Sequence, residues 1–222
     1  MKEKKEKKVK KKKRRISKKV KFFLCILIVI IILVLYFTKG NNKTETTIKE
    51  VKVVDKIDNF EYSLNDKDTK LFKDTFKLLK EELSKDEIDN QKYAELVAQL
   101  FTIDFFTLDN KYTKNDIGGV QFVYSNYRSS FIDKSRDEFY KYIKNNLNKD
   151  RNQELPIVES VTVENSEKIN VSDEIKLDEL KDAEGYKIKL SINYKKDLGY
   201  QKTATLIVVK DDNKFAVAKL SE

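Results

Sequence analysis

Histidine and tryptophan are absent from all 222 residues, while cysteine, methionine and proline occur once each and glycine five times. Without histidine, Ser-His-Asp and Cys-His catalysis, imidazole general bases and nearly every zinc or non-haem iron site lose an essential group. The single cysteine, Cys25, sits inside an apolar run, so the chain beyond that run has neither a disulfide nor a thiol nucleophile. The five glycines build no G-x-G-x-x-G and no P-loop. Asp109-Asn110 and Asp211-Asp212-Asn213 lack the glycine and closing Glu of an EF-hand loop. Carboxylate-pair hydrolysis stays formally open with 37 acidic residues, but no pair stands apart. The chain therefore reads as not an enzyme, with no catalytic residue, no metal and no cofactor.

Charge is plentiful but unevenly placed. Residues 1–21 carry fourteen of the 46 Lys/Arg and two of the 37 Asp/Glu, so the formal charge of +9 belongs to this tail and the remainder is mildly acidic. A dense like-charge block without apolar periodicity has no fold of its own. Only Phe22 and Phe23 adjoin it, which gives no stacking platform for bases, and no nucleic-acid partner is expected. Topology and attraction to anionic lipid, about 1 kcal/mol per basic residue near the surface, account for it more simply.

Long apolar runs are limited to one. Residues 22–37, FFLCILIVIIILVLYF, contain no charge and would span about 24 Å as a helix at 1.5 Å per residue. Flanking lysine stems can extend that reach toward a ~30 Å hydrocarbon core. No small-x-small cleavage site comes after it, so 22–38 reads as an uncleaved transmembrane signal anchor. The expected organisation is a cytoplasmic basic tail (1–21), the anchor (22–38), a polar linker (39–56) and an extracytoplasmic domain (57–222), with the protein at the cell membrane. About 170 residues suffice for a core without disulfides or metal.

Within that domain helical periodicity comes first. Asp68 or Thr69 can cap a helix whose inner face holds Leu71, Phe72, Phe76, Leu79 and Leu83, and Asp89 can cap a second through about Leu108. A third is expected from Asp116, with the stripe Val120, Val123, Tyr124, Tyr127 and Phe131. Ser135 and Glu138 form a capping-box pattern that would restart a fourth, running to Leu147. Past Asn148 the period becomes two. Ile157, Val161 and Val163 alternate, residues 186–194 alternate without error, and 204–209 and 215–220 come next around the turn Asp211-Asp212-Asn213. Short connections imply an antiparallel sheet with helices on one face, an α+β domain.

Asp104 falls at the centre of the second helix's apolar stripe, between Val97, Leu100, Phe101 and Leu108. A buried carboxylate needs a partner. Arg128 could supply the charge, and Tyr124 or Tyr127 a hydrogen bond. Three readings stay open: a structural polar contact, a helix that ends early and exposes Asp104, or a ligand-facing or catalytic acid.

The order of basic tail, anchor, linker, helices and antiparallel meander resembles bacterial single-pass proteins with an NTF2-like outer domain, among them the scaffold subunits of conjugative type IV secretion machines. Asn115-Asp-Ile-Gly-Gly-Val-Gln-Phe-Val-Tyr124 and Leu198-Gly-Tyr200 resemble an uncharacterised membrane family of low-GC Gram-positive bacteria. The resemblance implies three to four helices on a curved antiparallel sheet of about four strands, a cone whose cavity can hold a ligand, and frequent dimerisation. It carries over no active-site residue. The expected function is a scaffold or protein-interaction domain in an envelope complex, partnered by another protein or by itself. The alternatives are a small-ligand sensor or carrier with an aromatic-lined cavity and, below it, a carboxylate-dependent enzyme.

Overall fold

Two side-chain caps start the helical half. Helix α1 (Lys70–Leu83) begins at Thr69, whose hydroxyl accepts the Phe72 amide at 3.2 Å. Helix α2 (Asn90–Phe106) begins at Asp89, whose carboxylate accepts the Gln91 and Lys92 amides at 3.0 and 3.1 Å. The computed structural model describes residues 51–175, 180 and 183–221. Eleven of the seventeen residues of α2 are buried, because α1 covers one side of it and the sheet the other. Each fully buried Leu or Phe there contributes about 1.5–3 kcal/mol of transfer free energy.

The period-two half forms β3 (Val158–Asn170), β4 (Glu184–Tyr194), β5 (Thr203–Asp211) and β6 (Lys214–Ser221), antiparallel and in the order β3-β4-β5-β6. The register sets Ile188 opposite Leu206 and Val208 opposite Val217, all facing α2. On the other face Ile207, Val209 and Ala216 make a smaller cluster, covered by Val171 and Leu180. Beyond it that face is polar, with Ser191 opposite Thr203 and Lys189 opposite Thr205.

Each sheet edge is met in part, one by side chains and the other by a chain crossing. Along β3, Gln99 donates to the Val161 carbonyl at 3.0 Å and Gln91 to that of Ser166 at 3.4 Å. Along β6, the backbone at Val123 makes a single parallel bridge to Val217. A two-stranded sheet of β1 (Val53–Ile57) and β2 (Tyr62–Asn65) completes the domain. Tyr62 fastens it to the core: its hydroxyl donates to the Phe215 carbonyl at 2.6 Å and meets the Tyr93 hydroxyl at 2.9 Å.

Several expectations are corrected. The expected fold class began with a transmembrane helix, and no helix among the described residues is long and apolar enough to cross a membrane. The run 22–38 on which it rested lies outside the described residues, as do the tail and most of the linker. What is described is α+β, with three α-helices, the four-stranded sheet and the hairpin. Residues 53–56, assigned to the linker by their polarity, belong to β1.

The helix expected from Asp116 does not form. Residues 120–122 and 125–127 are single 3-10 turns, and only Arg128–Asp137 is helical, as α3. The cause is tertiary pairing: the Tyr124 amide donates to the Val217 carbonyl at 2.9 Å, which holds Val123 extended. Val123 then enters the main core and Tyr124 the cluster on the far face, as neighbours on a strand must. The fourth helix is absent because Ser135 lies in the last turn of α3 and Glu138 leaves helical geometry at φ −112°, ψ −82°. Tyr140 is thereby turned into the core, where its hydroxyl donates to the Phe105 carbonyl at 2.7 Å.

Candidate functional site

Two places merit consideration, and the first is the one around Asp104. The end of α2 and the loop after it converge there. Asp104 Oδ1 accepts from Lys111 Nζ at 2.5 Å, and Oδ2 accepts from the Gly119 amide at 2.7 Å. Lys111 is 1% exposed, an ammonium buried against one carboxylate. Arg128, the partner expected from sequence, is turned elsewhere: its Nη2 donates to the Val123 carbonyl at 3.4 Å. Tyr124 and Tyr127 pack edge to face at 5.4 Å, with Tyr124 in the far-face cluster. The four residues singled out together therefore do not form one site.

What surrounds Asp104 instead is a polar cleft of about 250 Å³ holding Lys67, Asp68, Lys111 and Asp116. Lys67 and Asp116 pair at 2.7 Å, and the other Asp116 oxygen accepts the Tyr112 amide at 3.0 Å. Asp68 Oδ2 accepts the Asn65 amide at 2.7 Å. Burial pushes the Asp68 carboxyl from 3.8 up to about 6, against the lowering effect of that amide, while Asp104 adds repulsion and Lys111 and Lys67 offset it. Among the described residues no group of three or more acids could hold a metal ion.

Two glycines make this packing possible. A Cβ on Gly118 would lie 2.2 Å from the Asp104 carbonyl oxygen and 2.8 Å from Lys111 Nζ. Gly119 has φ +76°, and a Cβ there would meet the Phe101 ring at 2.9 Å. The Gly118 amide also donates to the Tyr140 hydroxyl at 3.1 Å. Arg151 clamps the same loop from outside, donating to the Asp109 and Lys111 carbonyls at 2.6 and 2.8 Å. Two of the three carboxylates are thus matched by lysines, Asp116 by Lys67 and Asp104 by Lys111, and the second pair ties the 107–119 loop to α2.

The second place is a groove between α3 and the final residues of β6. Two adjoining pockets, about 240 and 330 Å³, share Phe131, Lys134 and Leu220. Their floors are aromatic: Phe131 stands 5.8 Å from Phe101 and 5.4 Å from Phe105, and Phe139 lies 5.0 Å from Phe105 in a stacked pair. These rings continue from the buried core to the surface, where Phe139 meets Tyr200 edge-on at 5.9 Å. The rim is polar, with exposed Ser130 and Lys134 beside the first pocket and exposed Lys134 and Glu138 beside the second.

Of this groove, helical periodicity alone identifies Phe101, Phe105 and Phe131 as inward-facing residues. The gap between α3 and β6 depends on where α3 starts, which the helical pattern places at Asp116 rather than at Arg128. Lys111 escapes sequence reasoning altogether, since a lysine in a polar loop carries no local sign of burial. No protein-family profile, no curated protein and no solved structure matches the chain.

Proposed function

We propose that this chain is a non-enzymatic protein-interaction domain, a subunit or accessory factor of a bacterial envelope complex. The observation that carries this reading is the groove between α3 and β6, an aromatic surface open to solvent with a polar rim. Small apolar recesses of this kind take anchor side chains from a partner, and such anchors dominate interface energetics. The acid that an enzyme reading would need, Asp104, already spends both oxygens on Lys111 and the Gly119 amide. A small-ligand carrier draws on the same groove, because about 330 Å³ lies at the lower end of the usual ligand-pocket range of roughly 300–1,000 Å³.

The place of action we propose is the cell membrane, with the N terminus cytoplasmic and the domain outside. Support comes from the basic residues 1–21, which favour the cytoplasmic side and anionic lipid. The architectural resemblance to conjugative secretion scaffolds makes a conjugation or secretion complex the first to test. Crosslinking in living cells, comparing the wild-type chain with Lys134→Glu, examines the reading. A partner protein, or a second copy, should be recovered from the first and much reduced from the second. Recovery of the chain alone as a monomer, in amounts unchanged by the substitution, would contradict it.

A further inference from the structure

The edge of the sheet beside the groove is only partly covered. Val123 supplies one parallel bridge to Val217, after which the chain turns away. Asp211 draws it off, accepting from the Ser125 amide at 3.0 Å and from the Ser125 hydroxyl at 2.9 Å. Beyond Val217, β6 has no further strand neighbour on that side among the described residues.

The first pocket is lined by Val217, Ala218, Lys219 and Leu220, four consecutive residues. The pairing of β6 with β5 slips by one residue between Val217 and Lys219, a bulge at Ala218 that keeps Val217 and Leu220 both on the core side, and the pocket follows this stretch of the outermost strand. The groove therefore presents edge backbone groups and an aromatic floor together. The second pocket, over Phe105, Phe106 and Phe139, continues the same course.

We propose that this groove binds an extended peptide segment of another polypeptide by strand addition to β6, a segment with apolar side chains at alternate positions and an acidic residue beside them. The proposal rests on the interaction-domain reading and names the partner's chemistry. An added strand carries on along the edge where Val123 leaves it, satisfying backbone groups of β6. Side chains two apart on the strand point the same way, and enter the two recesses on either side of Phe131. Charge selects the flank. Lys134 lines both pockets and pairs with no carboxylate among the described residues, while Glu138 borders the second pocket alone, so the acidic residue belongs over the first. Lys219, by contrast, already has Glu174 at 3.3 Å. A fatty acid could fill the aromatic floor and reach Lys134, but it offers no N–H or C=O to the strand edge.

The test uses the purified full chain in detergent and a display library of random octapeptides. Enrichment of apolar residues at i and i+2 with an adjacent Asp or Glu is expected. No enrichment over a Leu220→Glu chain, or enrichment at helical i, i+4 spacing, would overturn the proposal. The best peptide is then made in two forms, each N-methylated on one alternate set of amides. One form should bind at least about tenfold more weakly and the other nearly as well, since only one set faces β6. Equal binding by both would reject strand addition, as would unchanged amide exchange over residues 217–221 in the complex. Lys134→Glu, on an exposed side chain, should leave the thermal transition in place and weaken binding about tenfold. Laurate that binds with the same Lys134 dependence and displaces no selected peptide would favour an amphipathic small ligand instead. If peptides fail while cellular crosslinks from the groove persist, the interaction reading survives and strand addition does not.

Discussion

Lys111 is the residue whose environment most constrains the chemistry of the cleft, because its ammonium is 1% exposed and faces Asp104 at 2.5 Å. Truncating Asp104 would leave that charge buried and unpaired, and removing one member of such a pair typically costs about 3–5 kcal/mol. Asp104→Ala should therefore be strongly destabilising in chemical denaturation. The Asp104→Asn, Lys111→Met double variant should lose markedly less than the sum of its single changes. Full additivity would show that the two groups do not interact. Asp68 makes a second prediction, through pH. Its folded-state value near 6 exceeds its ordinary 3.8, so the folded protein binds the extra proton between those limits. Stability contributed by this group is then lowest above pH 6 and rises as the pH falls toward 4, by about 1–3 kcal/mol. Asp68→Asn should flatten the stability profile in that window, and an unchanged slope would place the titration elsewhere.

At the scale of elements, the loop between α2 and α3 depends on close backbone approach at Gly118. Gly118→Ala forces a Cβ to within 2.2 Å of the Asp104 carbonyl oxygen, so the loop or the end of α2 must move. The expected loss is about 1–3 kcal/mol or more, as in overpacked cores, read from the denaturant midpoint. A neutral result would mean that the loop relaxes without disturbing Asp104. The starts of α1 and α2 are legible in the sequence because Thr69 and Asp89 cap through purely local bonds. Residues 186–194 are legible for a similar reason, since their strict alternation matches a sheet buried on one side. The stretch from 116 to 127 is not. Its residues have helical spacing, yet they pair with β6 through Val123 and cross the sheet edge, a contact almost a hundred residues away in sequence. The site suffers in the same way, because Asp104 is recognisable as needing a partner while Lys111 lies in a loop whose path the sequence does not specify.

For the whole molecule, the apolar surface is distributed so that the sheet's outer face is an unpromising interface. Val171 and Leu180 cover its apolar half, and Lys189, Ser191, Thr203 and Thr205 occupy much of the rest. Val53, Val54, Leu78 and Tyr142 are exposed singly or in pairs elsewhere, and the proposed function rests on the groove because its aromatic lining is continuous with the core. The proposed placement at the membrane predicts that protease added to wall-stripped cells removes the domain and spares residues 1–21, whereas a resistant domain would put it on the other side. The most direct test of the central claim is a photo-crosslinking residue placed at one position at a time in living cells. Crosslinks to a partner polypeptide are predicted from Ser130 and Lys134, which border the groove, and not from Lys77 on the exposed side of α1. Crosslinks from Lys77 with none from Ser130 or Lys134 would contradict the claim.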